Sequence, residues 1–213
     1  MSDASFTILT VCTANLCRSP MAEAIINDQL TSVRWPEPWS VSSSGTMVGA
    51  ASDMHPLARM TLAERHIAPS PWQITPITAG TIATADLILT AEIGHRRAVV
   101  SLYPGAVRRT FTLLRFAELA EAASRSGAVS RCGADLIQHC LVASTKSAPG
   151  QDHLYDLRDP IGGDASEFRT CADLIQKSVA QIFRLAPTEP TSRDSTIRRP
   201  RGSEATAGQR HRA

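Results

Sequence analysis

The sequence lacks several features that identify a protein class at first reading. No apolar run approaches the roughly 18 residues that a transmembrane helix needs, and the N-terminal MSDASFTILTV has no basic region like that of a signal peptide. Its five cysteines are odd in number and do not follow the spacing of a disulfide framework. We therefore expect the protein to work in a reducing cytoplasm.

Charge and metal-binding patterns are equally sparse. The formal net charge of +2 is too small to argue for a nucleic acid or a membrane surface as partner. No residues have metal-ligand spacing, no glycine-rich nucleotide fingerprint follows a strand, and no internal repeat is present. Hydrophobic residues nevertheless make up 43% of the 213 positions, which is enough for a sizeable core.

Strand-like and helix-like segments alternate along the chain. This alternation predicts right-handed βαβ units, and therefore a parallel sheet with helices on both faces, a three-layer α/β sandwich. The predicted strands are residues 6–11, 39–43, 85–90 and a fourth within 107–113. The predicted helices are one with Pro20 in its first turn, residues 55–66 and 92–102, and a last one that Asp164 and Glu167 open with capping-box spacing.

The second half of the chain is less regular. We predict two short helices within residues 116–141, around Gly127 and Gly133, and a loop at 144–152. From Pro187 onward apolar anchors are almost absent, so the segment cannot bury enough surface to offset its ordering entropy. We expect one domain over residues 1–186, with an insertion at about 117–152, and a disordered basic tail over 187–213. The tail either has no specific role or engages an acidic partner.

The stretch VCTANLCRSPMAEAI places a turn between the first strand and the first helix. Ligands of a parallel sheet bind beyond the carboxyl ends of its strands, and a helix N-terminus there attracts anions. If the turn curls with its amides inward, it forms a cradle for phosphate oxygens, and Arg18 adds a planar fork that can grip two of them. Cys12 beneath the cradle lies in the same field, which favours a thiolate positioned for in-line attack on phosphorus, and Ser19 can donate a hydrogen bond to it. The alternative is an ordinary core cysteine and a surface arginine.

Attack at phosphorus also requires a proton for the leaving group. Asp159, in YDLRDPIGGDASEF, is the best candidate, because Pro160 stiffens the loop and could present the carboxyl group over the cradle. Asp156 is the rival, and Asp159 is alternatively an aspartate that only forms the turn. His55, His66 and His95 fall in helical segments, where we expect surface or capping roles.

These segments resemble a known family. VCTANLCRSPMAEAI closely resembles the phosphate-binding loop and following helix of the low-molecular-weight protein tyrosine phosphatases. SSSGT at 42–46 is similar to the family's SAGT stretch, ADLILTAEIGHRR at 85–97 to its third strand and helix, and RDP at 158–160 to its acid loop. The segments lie in the family's order and span residues 6 to about 185.

The resemblance implies a four-stranded parallel sheet and a hydrolase without metal or cofactor that forms a phosphocysteine intermediate. It implies Cys12 as the nucleophile, Arg18 as the phosphate clamp, and Asp159 as the general acid and then the base for the hydrolytic water. Asn15 is implied to hold the loop backbone and Ser19 to stabilise the thiolate. The implied phosphate-binding residues are Thr13, Ala14, Asn15, Leu16, Cys17 and Arg18. Cys17 either pairs with the nucleophile under oxidation or is merely a loop cysteine.

The chain departs from the family pattern at several positions. Ala14 stands where many relatives have glycine, and Ile161 and Gly162 replace the aromatic residues common after the Asp–Pro pair. An aryl phosphate therefore loses a stacking wall. Met47, Val48 and Met54 follow the SSSGT stretch. They either supply an aliphatic wall in place of the aromatic one or belong to the core, and we favour the core.

The resemblance favours a phosphatase acting on phosphorylated protein, with phosphotyrosine as the expected substrate. A thiol-dependent arsenate reductase shares the cradle but needs further cysteines to relay a disulfide, and Cys132 and Cys140 are available. A non-catalytic module that binds phosphorylated partners is the third hypothesis, and the presence of Asp159 argues against it.

Overall fold

The sheet is the centre of the computed structural model, which describes residues 5–51, 53–69, 73–145 and 152–187. In these ranges four parallel strands lie in the order β2-β1-β3-β4, which confirms the predicted α/β class. The strands are β1 (Phe6–Cys12), β2 (Trp39–Gly45), β3 (Leu87–Thr90) and β4 (Thr110–Thr112).

Helices cover both faces of the sheet. In chain order they are α1 (Arg18–Thr31), α2 (Pro56–Ala63), α3 (Ala79–Thr84), α4 (Ile93–Leu102), α5 (Leu113–Arg125), α6 (Gly133–Ser144) and α7 (Ala165–Phe183). Two short 3₁₀ turns, Pro104–Arg109 and Asp152–Tyr155, precede β4 and the acid loop.

Alternate residues of β1 fill two cores, as the period of a strand requires. Ile8 and Cys12 belong to the larger core, which α1, α5 and α7 build on one face. Leu9 and Val11 belong to the smaller core beneath α3 and α4. Because both faces are covered, the carboxyl end of β1 is held in place from both sides.

Local signals define most helix starts. Asp164 accepts from the N–H groups of Ser166 and Glu167 at 2.8 and 3.3 Å and so caps α7. In a capping box the Glu167 side chain would also accept from the N–H of Asp164. Here the Glu167 carboxylate instead lies 3.3 Å from Arg158. His55 caps α2 by accepting from the N–H of Leu57 at 3.2 Å, which confirms a capping role for it.

Two predicted helix boundaries are wrong, and one helix was not predicted. The helix predicted to reach His66 ends at Ala63, and His66 has a φ of 58°, a left-handed conformation that a helix interior does not allow. The six-residue helix α3 is too short to show a periodic pattern and was not predicted. The helix predicted to begin at Phe116 starts at Leu113, because Leu113 and Phe116 both enter the larger core.

The predicted loop at 144–152 lies mostly outside the described residues, although Ser144 ends α6 and Asp152 begins a 3₁₀ turn. The predicted tail also lies outside them, apart from Pro187. None of the helices in the described ranges has the length and apolar character needed to cross a membrane.

Candidate active site

The turn between β1 and α1 turns its carbonyl groups outward. No backbone carbonyl in the described ranges accepts from the N–H groups of residues 13–17. These N–H groups, together with the N-terminus of α1, are therefore the donors that the loop offers to an anion. The outward carbonyls are those of Cys12, Thr13 and Leu16, which accept from the N–H groups of Thr46, Met47 and His55 at 2.9, 2.8 and 3.0 Å.

Asn15 fixes the shape of this loop. Its φ of 56° lies in the left-handed region, which asparagine tolerates better than most residues. The fully buried side chain donates to Ser19 Oγ at 3.0 Å and to Ser43 Oγ at 2.8 Å. Its Oδ1 accepts from the N–H of Thr75 at 2.9 Å. Three separate segments are thereby tied to one loop residue.

The glycine of the SSSGT stretch lets β2 approach the loop. A Cβ on Gly45 would lie 2.6 Å from the carbonyl oxygen of Thr13 and 2.9 Å from the backbone N of Asn15. Backbone atoms on both sides leave no room for that carbon. The sequence offered this glycine as part of a motif, and its spatial role is close packing against the loop.

Cys12 lies at the base of the loop and is 3% exposed. Its Sγ is 2.9 Å from Ser19 Oγ. That hydroxyl oxygen accepts from Asn15, and its one proton can be donated either to the sulfur or to the carbonyl of Ser44 at 3.3 Å. The structure therefore brings the Ser19 hydroxyl within hydrogen-bond distance of the sulfur.

Arg18 is 2% exposed and joins the loop to two neighbouring segments. Nη1 pairs with the Glu92 carboxylate and donates to the carbonyl of Leu157 at 3.0 Å. Nη2 pairs with Asp159 and donates to Thr13 Oγ1 at 3.2 Å. Glu92 carried no sequence signal of its own, because its role depends on α4 starting beside the loop.

The two aspartate candidates have different surroundings. Asp159 lies against Arg18, its side chain is 36% exposed, and its Oδ1 accepts from the N–H of Ile161 at 3.1 Å. Asp156 Oδ1 accepts from the N–H of Ile93 at 2.6 Å and so caps α4. The structure therefore brings Asp159 to the loop and gives Asp156 a helix-capping contact.

His95 corrects a prediction, because it is buried rather than a surface or capping residue. Its Nε2 lies 2.9 Å from Thr13 Oγ1. The ring nitrogen and the hydroxyl share one hydrogen bond, and the buried Nδ1 has no hydrogen-bond partner among the described residues. Burial lowers the pKa of His95 most strongly, while Glu92 raises it and Arg18 lowers it. A neutral imidazole fits the contact with Thr13.

The other thiols lie in less polar surroundings. Each of the five cysteines, all in described parts of the chain, is free. Burial raises the pKa of Cys17 to about 12, with a further increase from Asp159. Burial likewise raises the pKa of Cys140 and Cys171 to about 12. Such thiols stay protonated at neutral pH.

Cys132 lies at the opposite end of the sheet from Cys12. It precedes Gly133, where an added Cβ would fall 2.2 Å from the ring of Phe6, the first residue of β1. At about 3.3 Å per residue, β1 separates that end from Cys12 by roughly 20 Å. A disulfide relay between these thiols would require a large rearrangement.

The aliphatic residues after the SSSGT stretch divide between two roles. Met54 is buried in the larger core, as favoured, whereas Met47 is 74% exposed, so core packing was the wrong interpretation for it. Val48 is half-buried against Gly45. Ile161 is 49% exposed next to Asp159. The N–H of Met47 donates to the carbonyl of Thr13 and that of Ile161 to Asp159, so both exposed apolar residues are joined to the site through their backbone.

The donor set of the site suits an anion. No group of three or more His, Cys, Asp or Glu side chains in the described ranges is arranged to hold a metal ion. The groups that meet at the loop are N–H groups, a guanidinium and hydroxyls, which bind oxyanions through charge-assisted hydrogen bonds.

The chain is similar to several known proteins. Residues 7–126 match a family model described as low molecular weight phosphotyrosine protein phosphatase. A protein-arginine-phosphatase of Geobacillus stearothermophilus is 27% identical over 185 residues, which is 86% of this chain and 98% of that protein. The low molecular weight phosphotyrosine protein phosphatase of Homo sapiens is 34% identical over 97 residues, 44% of this chain and 60% of that protein. The solved structure of the YwlE arginine phosphatase from Geobacillus stearothermophilus is similar with a TM-score of 0.60 and 26% identity, covering 83% of this chain and 90% of that chain.

Proposed function

The chain belongs to the low molecular weight phosphotyrosine protein phosphatase family, whose members are hydrolases with a cysteine nucleophile, and we propose that Cys12 is that nucleophile here. In the first step Cys12 Sγ attacks the phosphorus atom of a bound phosphomonoester. The sulfur–phosphorus bond forms as the bond to the leaving oxygen breaks.

Asp159 supplies the proton that the leaving oxygen requires. In the second step the same carboxylate takes a proton from water, which attacks the phosphocysteine and releases phosphate and the free thiolate. Arg18 and the N–H groups of residues 13–17 hold the equatorial oxygens throughout. A phosphoryl group in the loop competes with Asp159 for the Arg18 guanidinium, so substrate binding frees the carboxyl group for the leaving oxygen.

The observation that carries this proposal is the meeting of three groups at one loop. Cys12 Sγ is 2.9 Å from Ser19 Oγ, and Arg18 pairs with Asp159 beside the same residues. The pairing supports a catalytic assignment over a module that only binds phosphate, because such a module has no need of a carboxylate at the clamp. Asp156 is the weaker candidate for the acid, since it caps α4.

We propose phosphotyrosine in a protein as the substrate. The exposed aliphatic side chains of Met47 and Ile161 flank the loop and offer an apolar rim to an aryl leaving group. Phosphoarginine is the other substrate named among the relatives, and its guanidinium gains no hydrophobic contact from that rim. The distance between Cys132 and the loop weighs against an arsenate reductase that uses Cys132 and Cys140.

We further propose that residues 1–186 form one phosphatase domain that includes the additional segment 117–152, followed by the tail 187–213. Support comes from α5, whose Phe116 and Leu119 lie in the same core as α1 and α7. A reducing cytoplasm is the proposed location, because a nucleophilic thiol has to remain reduced.

Hydrolysis of p-nitrophenyl phosphate by the full chain tests the proposal. The wild type should turn over, and Cys12→Ser should lose detectable activity while Cys132→Ser keeps it. Peptides carrying phosphotyrosine or phosphoarginine then distinguish the substrates by kcat/KM. Turnover that survives Cys12→Ser rejects the nucleophile, and a preference for phosphoarginine rejects the proposed substrate.

A further inference from the structure

A cavity of about 460 Å³ lies beyond the edge strand β4. That volume falls in the range of roughly 300–1,000 Å³ typical of small-molecule sites. Ile93 and Tyr155 line it. In the chain Ile93 directly follows Glu92, and Tyr155 lies four residues before Asp159. The cavity therefore lies at the carboxyl edge of the sheet, close to the candidate active site but without any of the polar residues assigned there.

Three arginines surround this cavity. Arg96 is fixed by donating to the carbonyls of Thr110 and Val107 at 2.8 and 3.4 Å. Arg115 donates to the hydroxyl of Tyr155 at 3.0 Å, and its guanidinium lies 4.9 Å from the centre of that ring.

Arg108 completes the set from an exposed position on the 3₁₀ turn. Its side chain has no ion pair or hydrogen bond with any other described residue. Glu118, which pairs with Arg115, is the one carboxylate that neutralises these arginines within the described ranges. A guanidinium has five N–H donors, so all three arginines keep donors for a ligand.

Thr112 provides independent support for a ligand site in this cavity. It also lines the cavity, it is 3% exposed, and its Oγ1 has no hydrogen-bond partner. A buried hydroxyl without a partner destabilises the fold. Thr112 is also the residue before α5, whose N-terminus has no side-chain cap. An oxyanion at this point would accept from the hydroxyl and from the uncapped N–H groups.

The rest of the wall is apolar, with contributions from Phe111, Leu119 and Leu141. We propose that the cavity binds an organic phosphate or carboxylate, with its anionic head at Thr112, Arg108 and Arg115 and its apolar body against Phe111 and Leu119. The ligand is either a free small molecule or an acidic side chain of a bound protein substrate. The site does not depend on the proposed catalysis.

Calorimetric titration of the full chain with phenylphosphonate tests the site. The wild type should bind at two sites, the phosphate-binding loop and the cavity. Arg108→Glu should remove the second site, whereas Arg97→Glu, an exposed position on α4 with the same charge change, should keep it. Thr112→Val should weaken the second site about tenfold without lowering the melting temperature, because it replaces an unpartnered hydroxyl by a methyl group.

One binding site in the wild type, or a second site unchanged in both Arg108→Glu and Thr112→Val, overturns the inference. Hydrolysis of p-nitrophenyl phosphate is read in parallel, since two sites without turnover reject only the proposed function. Phosphotyrosine peptides with acidic or neutral neighbours then identify the source of the ligand. A drop in kcat/KM in Arg108→Glu confined to acidic peptides assigns the cavity to the substrate, and equal values for both peptides assign it to a free small molecule.

Discussion

The two ends of β1 are built from different chemistry. At the carboxyl end Asn15, Arg18 and Ser19 are buried, and each makes at least two polar contacts. At the amino end aromatic rings pack on one another: Phe6 lies 4.5 Å from Trp39, which lies 4.3 Å from Trp35. Buried polar groups cost stability unless all are satisfied, whereas aromatic burial supplies it. The amino end therefore contributes stability that allows the carboxyl end to hold a polar site.

The largest expected effect is on turnover at the polar end. Asp159→Asn keeps the size of the side chain but removes the acid, so kcat for an ester with a poor leaving group should fall about 10²- to 10⁴-fold. Asp156→Asn is the matched control, and we expect it to cost stability through the α4 cap rather than kcat. Steady-state kinetics on both variants measure the difference. Equal losses of kcat would remove the distinction between the two aspartates.

At the aromatic end Phe6→Ala should lower the free energy of unfolding by about 3–5 kcal/mol, because a fully packed ring leaves a cavity. The kcat of the folded protein should stay near the wild-type value. Urea denaturation and kinetics in the same buffer measure both quantities. Val129→Ala, at a side chain that is 52% exposed, serves as the control with little expected effect. A large drop in kcat for Phe6→Ala would show that the two ends are coupled.

Asn15→Ala should disturb the loop itself. It removes the donor to Ser43 Oγ, leaves the N–H of Thr75 without a partner and places alanine at positive φ, so we expect a stability loss of about 1–3 kcal/mol. Asn15→Gly relieves the backbone strain but not the lost hydrogen bonds. If kcat recovers in Asn15→Gly, the conformation matters most, and if it stays low, the side-chain contacts do. Wild-type kcat in Asn15→Ala would contradict the role assigned to Asn15.

The smallest effect concerns pH. The pKa of His95 lies below its ordinary value of 6.5 in the folded protein, so below that pH the unfolded chain binds a proton that the native site does not. The wild type should therefore lose stability as pH falls through 6.5, relative to His95→Gln, whose amide can still form a hydrogen bond with Thr13. Melting temperatures between pH 5 and 8 measure this, with His66→Asn at an exposed position as control. A constant difference between wild type and His95→Gln would reject the neutral buried imidazole.

The contrast between the two ends also explains how far the sequence alone could go. Cys12, Arg18 and Ser19 lie on one strand–turn–helix unit. Because they are close in the sequence, their spacing alone was enough to predict that they meet. Asp159 was preferred to Asp156 through the resemblance of RDP to the acid loop, but the sequence could not show that Asp156 caps α4. Glu92 and His95 reach the loop from another helix, and no periodic pattern marks a contact of that kind. The spacing of the SSSGT stretch gave no measure of how closely Gly45 approaches Thr13.

The direct test of the proposed mechanism is to trap the covalent intermediate. The full chain is quenched in acid during turnover of p-nitrophenyl phosphate, digested, and examined by mass spectrometry. We expect one phosphoryl group on the peptide that contains Cys12, and none in Cys12→Ser. A phosphoryl group on any other residue, or continued turnover by Cys12→Ser, would contradict attack by Cys12.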